Sequence, residues 1–355
     1  MADAVIRDLD PGTDTAALED LWLRTFGTPR GGQSLAWLFR AGPAGASPRC
    51  VAEQDGRIVA HAGAVAMRFQ HGAAIVRGGY SVAAMTDPAC RGQRLFFRLG
   101  EHLYRRMAEQ GFAFVAGFSN ANSFRLMTGP LRRTAIRPFP WCVRVLSPVA
   151  LARGLLGGAD SSPTADADAI ARALRAAEVG GISLSPIDPA ARDPRLDAVW
   201  SSAAATVPIG AVRDAAFVEW RYATRPDAGY RLVLAEQAGA PVGWIGYRRL
   251  ALRGVPAGFV VDFVLAKGAA AAGRALLRAV ARIARAEGSA ILSALRPGSG
   301  AERTALGRAG FVPVPEPLHP QVIRFSVREL GASALGSALV QPRSWHLAWS
   351  DTDVV

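Results

Sequence analysis

Lysine is almost missing from this sequence: Lys267 is the only one in 355 residues, and arginine supplies the other 40 of the 41 basic side chains. Arginine spread among so many alanines and glycines reads as codon bias in a GC-rich genome. The net charge of +12 is therefore no nucleic-acid signal by itself, because net charge speaks to association and not to fold. The chain has no basic tail, no dense Lys/Arg run and no basic stretch interleaved with aromatics. That argues against nucleic acid as a partner and leaves an acidic, phosphate-rich ligand as the better use of surplus arginine. Cysteine is scarce too. Cys50, Cys90 and Cys142 lie far apart and are odd in number, which argues against a disulfide framework or a zinc site; no metal is expected. No run of about eighteen residues is apolar and free of charge, which excludes a membrane-spanning helix. The opening MADAVIRDLDPGTD has neither a basic start nor an apolar stretch, so no secretory signal is read and a cytoplasmic protein is expected.

What remains is a globular composition, 20% charged and 50% hydrophobic, in a chain long enough for two cores. The sequence also repeats itself. Shifting by 183 residues places Trp37 on Trp220 and Pro43 on Pro226. The same ungapped shift places Ala52, Glu53, Gln54, Gly56 and Val59 on Ala235, Glu236, Gln237, Gly239 and Val242. A repeat of that length implies a duplicated domain rather than a solenoid. Each half reads as a helical start, a Trp segment, a hairpin turning at Asp55-Gly56 or Ala238-Gly239, a further strand, an amphipathic helix, a strand, a short helix and final strands. The first half's later strands read as YSVAAM, FAFVAGF and WCVRVL, and the second's as FVVDFVL, AILSAL and QVIRFS. The order implies an α/β chain of the α+β kind, with a mixed, mostly antiparallel twisted sheet flanked by helices in each half. The expected division is residues 1–150, a linker with a helix at 151–185, and residues 186–355.

One stretch carries a chemical suggestion. TDPACRGQRLFFRLGEHLYRRMAEQG, residues 86–111, sets a short Arg/Gly loop between a strand and a helix. Leu95, Leu99, Leu103 and Met107 recur at helical spacing, so one face of that helix packs on a sheet. The first-turn amides and the positive end of the helix dipole then point beyond the strand end, a ready place for a pyrophosphate. Gly92 permits close backbone approach and Arg91 adds a charged fork. An ordinary strand-to-helix turn with a solvated arginine is the bland alternative.

The same stretch resembles the acyl-CoA-binding segment of the GNAT N-acyltransferase superfamily, Arg/Gln-x-x-Gly-x-Gly/Ala between a strand and a helix. LGRAGF at Leu306–Phe311 and GFSNANSF at Gly117–Phe124 resemble two further recurring segments of that superfamily. With the repeat, the chain is similar to tandem-GNAT N-acyltransferases, some of which modify amino sugars on nucleotide carriers in polysaccharide biosynthesis. The resemblance implies two tandem GNAT-like domains. It also implies acetyl-CoA or another acyl-CoA as co-substrate and a small-molecule primary amine as acceptor, with a homodimer allowed. It implies that Ala84, Met85 and Thr86 line the pantetheine arm and that Arg91, Gly92, Gln93, Arg94, Leu95 and Phe96 form the diphosphate cradle. Asn120, Asn122 and Ser123 then bond the pantetheine amides, although a helix cap explains them equally well.

The departures are specific. Arg94 stands where Gly is usual and Phe96 where Gly or Ala is usual, so Arg94 either crowds the cradle or turns outward toward a phosphate. The equivalent second-half stretch, AKGAAAAGRALL, keeps only Gly273, which marks that half as degenerate. The family's tyrosine is absent, with Arg125 and Leu306 in its place. For proton transfer the candidates are Tyr80, His61 and Asp262, each with a structural alternative: half-buried packing for Tyr80, a satisfied histidine for His61, a paired core carboxylate for Asp262. Three readings stay open: an N-acyltransferase, a non-catalytic acyl-CoA-binding protein, and an aminoacyl transferase of the Fem type.

Overall fold

The computed structural model describes residues 3–29, 35–40, 42–158, 165–225, 229–319, 323–331 and 335–352. Pro226, Gln321 and Val322, used in the sequence argument above, lie outside them. The first half runs β1 (Val5–Asp8), α1 (Thr15–Phe26), α2 (Leu35–Leu38), β2 (Arg49–Gln54), β3 (Arg57–His71), β4 (Ala74–Thr86), α3 (Leu95–Glu109), β5 (Phe114–Ser119), α4 (Ala121–Thr128), β6 (Thr134–Ile136) and β7 (Trp141–Val145). Then follow α5 (Pro148–Leu155), α6 (Ala167–Arg175), β8 (Ile182–Ile187), α7 (Arg195–Ala204), β9 (Ile209–Ala211) and α8 (Ala215–Val218). The chain continues through β10 (Arg231–Gln237), β11 (Ala240–Leu252), β12 (Val255–Leu265), α9 (Ala270–Ala286), β13 (Ile291–Leu295), α10 (Gly300–Arg308), β14 (Val312–Pro313), β15 (Arg324–Glu329) and β16 (Trp345–His346).

These strands make two mixed sheets flanked by helices. The first runs β1-β2-β3-β4-β5-β15-β6, with β9 and β16 added beyond the far end of β3. The second runs β14-β7-β13-β12-β11-β10-β8. The repeat shows in the topology: in each sheet an antiparallel hairpin ladder is followed by a parallel pair, β4–β5 or β12–β13, and the first sheet adds a second parallel pair, β9–β16. The hairpin turns agree in detail, since Asp55-Gly56 and Ala238-Gly239 both take positive φ at both central residues. That is the condition of the tight turn whose twist suits a two-residue hairpin.

The strand assignment needs one correction. WCVRVL does not close the first sheet: β7 lies between β14 and β13 in the second. The second half's IRFS segment lies in β15, between β5 and β6 of the first. Each half thus lends its late strand to the other's sheet. A strand reads the same in sequence whichever sheet receives it, because local alternation fixes the face and not the neighbour. The expected linker region also carries ordered structure, in α5, α6 and the start of the edge strand β8.

Helix α3 buries Leu95, Leu99, Leu103, Tyr104 and Met107 against the first sheet. Each such side chain contributes roughly 1.5–3 kcal/mol of burial. Gly100 marks the closest approach on that face, because a Cβ there would lie 2.6 Å from Leu131. This packing fixes where the head of α3 sits relative to the ends of β4 and β5.

Candidate active site

Strands β4 and β5 pair only at Gly78–Phe114, Gly79–Val115 and Tyr80–Ala116. Beyond Tyr80 they separate, and a cavity of about 320 Å³ opens between them. Ser81, Val82, Ala83 and Ala84 form one wall, and Phe118, Ser119, Asn120 and Ser123 form the other. Phe96, Leu99, Leu103 and Tyr104 of α3 close one side.

A bulge shapes the β4 wall. His61 pairs with Met85 and Gly63 with Val82, so Ala83 and Ala84 together oppose Ala62. Ala83 takes φ of 52°, a left-handed conformation that alanine adopts at a cost. The distortion lifts the two residues out of the regular ladder, so the cleft wall is main chain. His61 locks it from the neighbouring strand: its Nδ1 donates to the Ala83 carbonyl at 2.8 Å, which sets the tautomer. His61 is buried and lines the cavity.

The loop from β4 to α3 makes a second feature. Asp87 turns the chain by accepting from the Ala89 amide, and Gly92 takes φ of 86°. Arg94 then caps α3 in the left-handed conformation, φ 57° and ψ 18°, with no side chain bonding the first-turn amides. The usual glycine at this position suits that positive φ, and an arginine here costs about 1–2 kcal/mol. Its guanidinium does not fill the loop; it stacks on the Phe97 ring at 5.5 Å. Arg91, Gly92 and Arg94 are exposed, Gln93 and Phe96 half-buried, and Leu95 is packed underneath. The head of α3 is therefore open, with oriented donors and flanking arginines, and fits a diphosphate.

The remaining expected residues divide. Ala84, Asn120 and Ser123 line the cleft, whereas Met85 is buried in the core and Asn122 is exposed outside the cavity lining. Asn120 is the cap of α4: its Oδ1 accepts from the amides of Asn122 and Ser123, both at 3.0 Å. Thr86, at the end of β4, lies beyond the cavity wall.

Two of the three proton-transfer candidates take the structural alternative given for them. Asp262 does not reach the cleft; it is sealed in the core, bonded to Arg213 and to the Tyr222 hydroxyl. A carboxylate amid apolar neighbours has to be paired, and these two partners come from a segment that β12 gives no hint of. Tyr80 is buried one layer behind the cleft floor, where burial holds its hydroxyl well above the usual tyrosine range and a nearby Asp351 adds to the effect. The two oxygens fall short of hydrogen-bond geometry.

Asp351 is a residue that the sequence did not single out. The segment carrying it is fixed by Arg221, which donates to the carbonyls of Ser350 at 3.0 Å and Thr352 at 3.2 Å. Arg213 then holds Asp351 Oδ2 at 2.7 Å. Asp351 lines the cleft, and its burial raises its pKa despite the neighbouring Arg213. Arg133 was missed as well. It is 3% exposed, donates from Nε to Tyr104 Oη at 2.7 Å, and lines the cleft. Nothing local in MTGPLRRTAI marks Arg133, and nothing local in AWSDT marks Asp351.

Among the described residues, the space beside the ends of β12 and β13 is filled by side chains. Ser293 of β13 accepts from the indoles of Trp141 at 2.8 Å and Trp349 at 3.2 Å. Glu302 fills the space beside the end of β12, accepting from the Leu265 amide at 2.9 Å. Among the described residues, no group of His, Cys, Asp and Glu is placed to hold a metal, and no helix is long and apolar enough to cross a membrane.

No curated protein matches the sequence. The chain is similar in structure to N-myristoyltransferase of Saccharomyces cerevisiae bound to myristoyl-CoA, at 12% identity and a TM-score of 0.57 over 92% of this chain and 83% of that one. A probable N-acyltransferase from Enterococcus faecalis, of unknown function, aligns at 11% identity and a TM-score of 0.62 over 93% and 73%. A GCN5-related N-acetyltransferase from Kribbella flavida aligns at 14% identity and a TM-score of 0.57 over 92% and 72%. These likenesses show a shared fold. Residues 7–125, which hold α3, its loop and both walls of the cleft, match the family described as acetyltransferase (GNAT) domain. Residues 7–125 of this chain are thus similar to a GNAT acetyltransferase domain.

Proposed function

We propose that the chain transfers an acyl group from acyl-CoA to a primary amine in the cleft between β4 and β5. The observation that carries this reading is the meeting, along one strand, of a main-chain bulge at Ala83–Ala84 and an uncapped helix head at Arg94. Arg91, Gly92, Gln93, Leu95 and Phe96 would hold the diphosphate, and the wall at Ala84 would hold the pantetheine arm opposite Asn120 and Ser123. Main-chain donors at the bulge suit an oxyanion developing on a thioester carbonyl. His61 and Asp351 both line the cavity, and we assign them the removal of the ammonium proton. Tyr80 and the Asp262–Arg213 pair position Asp351 from behind. The acceptor we propose is an amino sugar on a nucleotide carrier; the arginine surplus of the chain supports an anionic acceptor.

A free-thiol release assay over a panel of primary amines, including nucleotide-linked amino sugars, tests the activity. His61→Gln and Asp351→Asn should each lower kcat by about 100-fold or more. Arg91→Ala should weaken CoA binding about tenfold with no change in melting temperature, since its side chain makes no bond among the described residues. Tight acyl-CoA binding with no turnover on any amine would instead support an acyl-CoA-binding protein.

A further inference from the structure

The cleft is lined by a buried cation that no carboxylate neutralises among the described residues. Arg133 is 3% exposed and makes no salt bridge among the described residues. Its Nη1 and Nη2 groups have no hydrogen-bond partner among the described residues. Its Nε is satisfied by Tyr104 Oη, a neutral phenol whose proton burial holds more tightly than usual. A second arginine, Arg328, adds a like charge; it is engaged with Glu101 at 2.8 Å and lies over the Tyr104 ring. Burial disfavours the charged form of Arg133 most and the Arg328 charge less, while the Tyr104 hydroxyl acts the other way. A buried guanidinium with two idle donors is unfavourable by several kcal/mol unless an anion completes it.

The surroundings say what kind of anion. Leu99, Leu103, Met127 and Leu131 line the same part of the cavity, between α3 and α4. These apolar side chains, with Arg133 lining the same cavity, suit an aliphatic chain that carries an anion at its end. Gly117 leaves the approach open, because a Cβ there would lie 3.0 Å from Arg133 Nη1 and 2.5 Å from Ser81 Oγ.

We propose that Arg133 selects an acyl donor whose acyl group ends in a carboxylate, a short dicarboxylic acyl-CoA of the succinyl class. This rests on the acyltransferase reading above and narrows its donor away from simple acetyl. Two parallel N–H donors of a guanidinium match the two oxygens of a carboxylate. In the transfer, the acceptor nitrogen forms an amide bond to the thioester carbonyl carbon and the C–S bond breaks. The amine's proton ends on the CoA thiol, and the distal carboxylate on Arg133 is unchanged.

The test compares succinyl-CoA with butyryl-CoA, which has the same carbon count, and with acetyl-CoA, by titration and by thiol release with the full chain. Succinyl-CoA should exceed butyryl-CoA in kcat/KM by about 100-fold. Arg133→Met should reverse that order while raising the melting temperature, because it removes an unpaired buried charge. Tyr104→Phe, which leaves the cation in place, should keep the preference for succinyl-CoA. Equal use of succinyl- and butyryl-CoA by the native protein, or a preference untouched in Arg133→Met, overturns the assignment of Arg133 while leaving the acyltransferase reading intact. Failure to bind any acyl-CoA overturns both. Succinate on the acceptor side competing as strongly as succinyl-CoA would place the anion on the acceptor and also overturn it.

Discussion

Arg213 and Asp351, 138 residues apart in sequence, meet at 2.7 Å with both side chains sealed from solvent. Asp262 bonds the same guanidinium from β12, so one arginine ties the second sheet to the segment that floors the cleft. Removing it strands two carboxylates. Arg213→Met should cost about 3–5 kcal/mol in urea unfolding. The loss should be smaller in mild acid, where the orphaned Asp351, whose pKa burial already raises, takes up a proton, than at alkaline pH.

His346 gives the native protein the opposite acid response. It is buried beside β9, and burial, with the Arg213 charge behind it, pushes its pKa down to about 3. The unfolded chain binds that proton near pH 6.5 and the folded one does not. The stability this group contributes is complete above about pH 6.5 and is lost as pH falls, at about 1.4 kcal/mol per pH unit. Urea midpoints measured at neutral pH and near pH 5 should therefore diverge less in His346→Phe than in the native protein.

The exchanged strands predict that the halves are not independent. Residues 1–150 alone lack β15, which stands between β5 and β6, and residues 151–355 alone lack β7, which stands between β14 and β13. Neither piece should melt cooperatively by circular dichroism. A sharp transition in either one would mean that the lent strand is dispensable.

At Arg94 the backbone and the side chain can be separated. Arg94→Gly removes the left-handed strain but adds unfolded-state entropy, so stability should rise by no more than about 1 kcal/mol. Because the guanidinium lies on Phe97 rather than across the loop, CoA affinity should stay within about threefold.

Much of this molecule is written locally. The helical spacing of Leu95, Leu99, Leu103 and Met107 placed α3, the Asp-Gly and Ala-Gly pairs placed the hairpins, and the repeat foretold two sheets of one plan. The GNAT acetyltransferase domain was legible from the loop at Arg91 and Gly92 together with the flanking strand and helix. What local pattern could not carry was partnership over long distances. The destination of β7 and β15, the sealing of Asp262 by Arg213 and Tyr222, and the arrival of Asp351 at the cleft all depend on segments far away in sequence. Arg133 is the sharpest case, since a buried and a solvated arginine look identical in LRRT.

The central claim is that main-chain donors at the head of α3 and along the β4 bulge grip acyl-CoA. Residue-resolved amide hydrogen exchange, with and without acetyl- or succinyl-CoA, tests it most directly. The amides of Arg94 to Phe97 and of Val82 to Ala84 should slow by about tenfold or more on binding, while those at the head of α9 stay as they were. Unchanged exchange at both first-half sites under saturating ligand, or slowing at Ala270–Gly273 instead, would contradict the account.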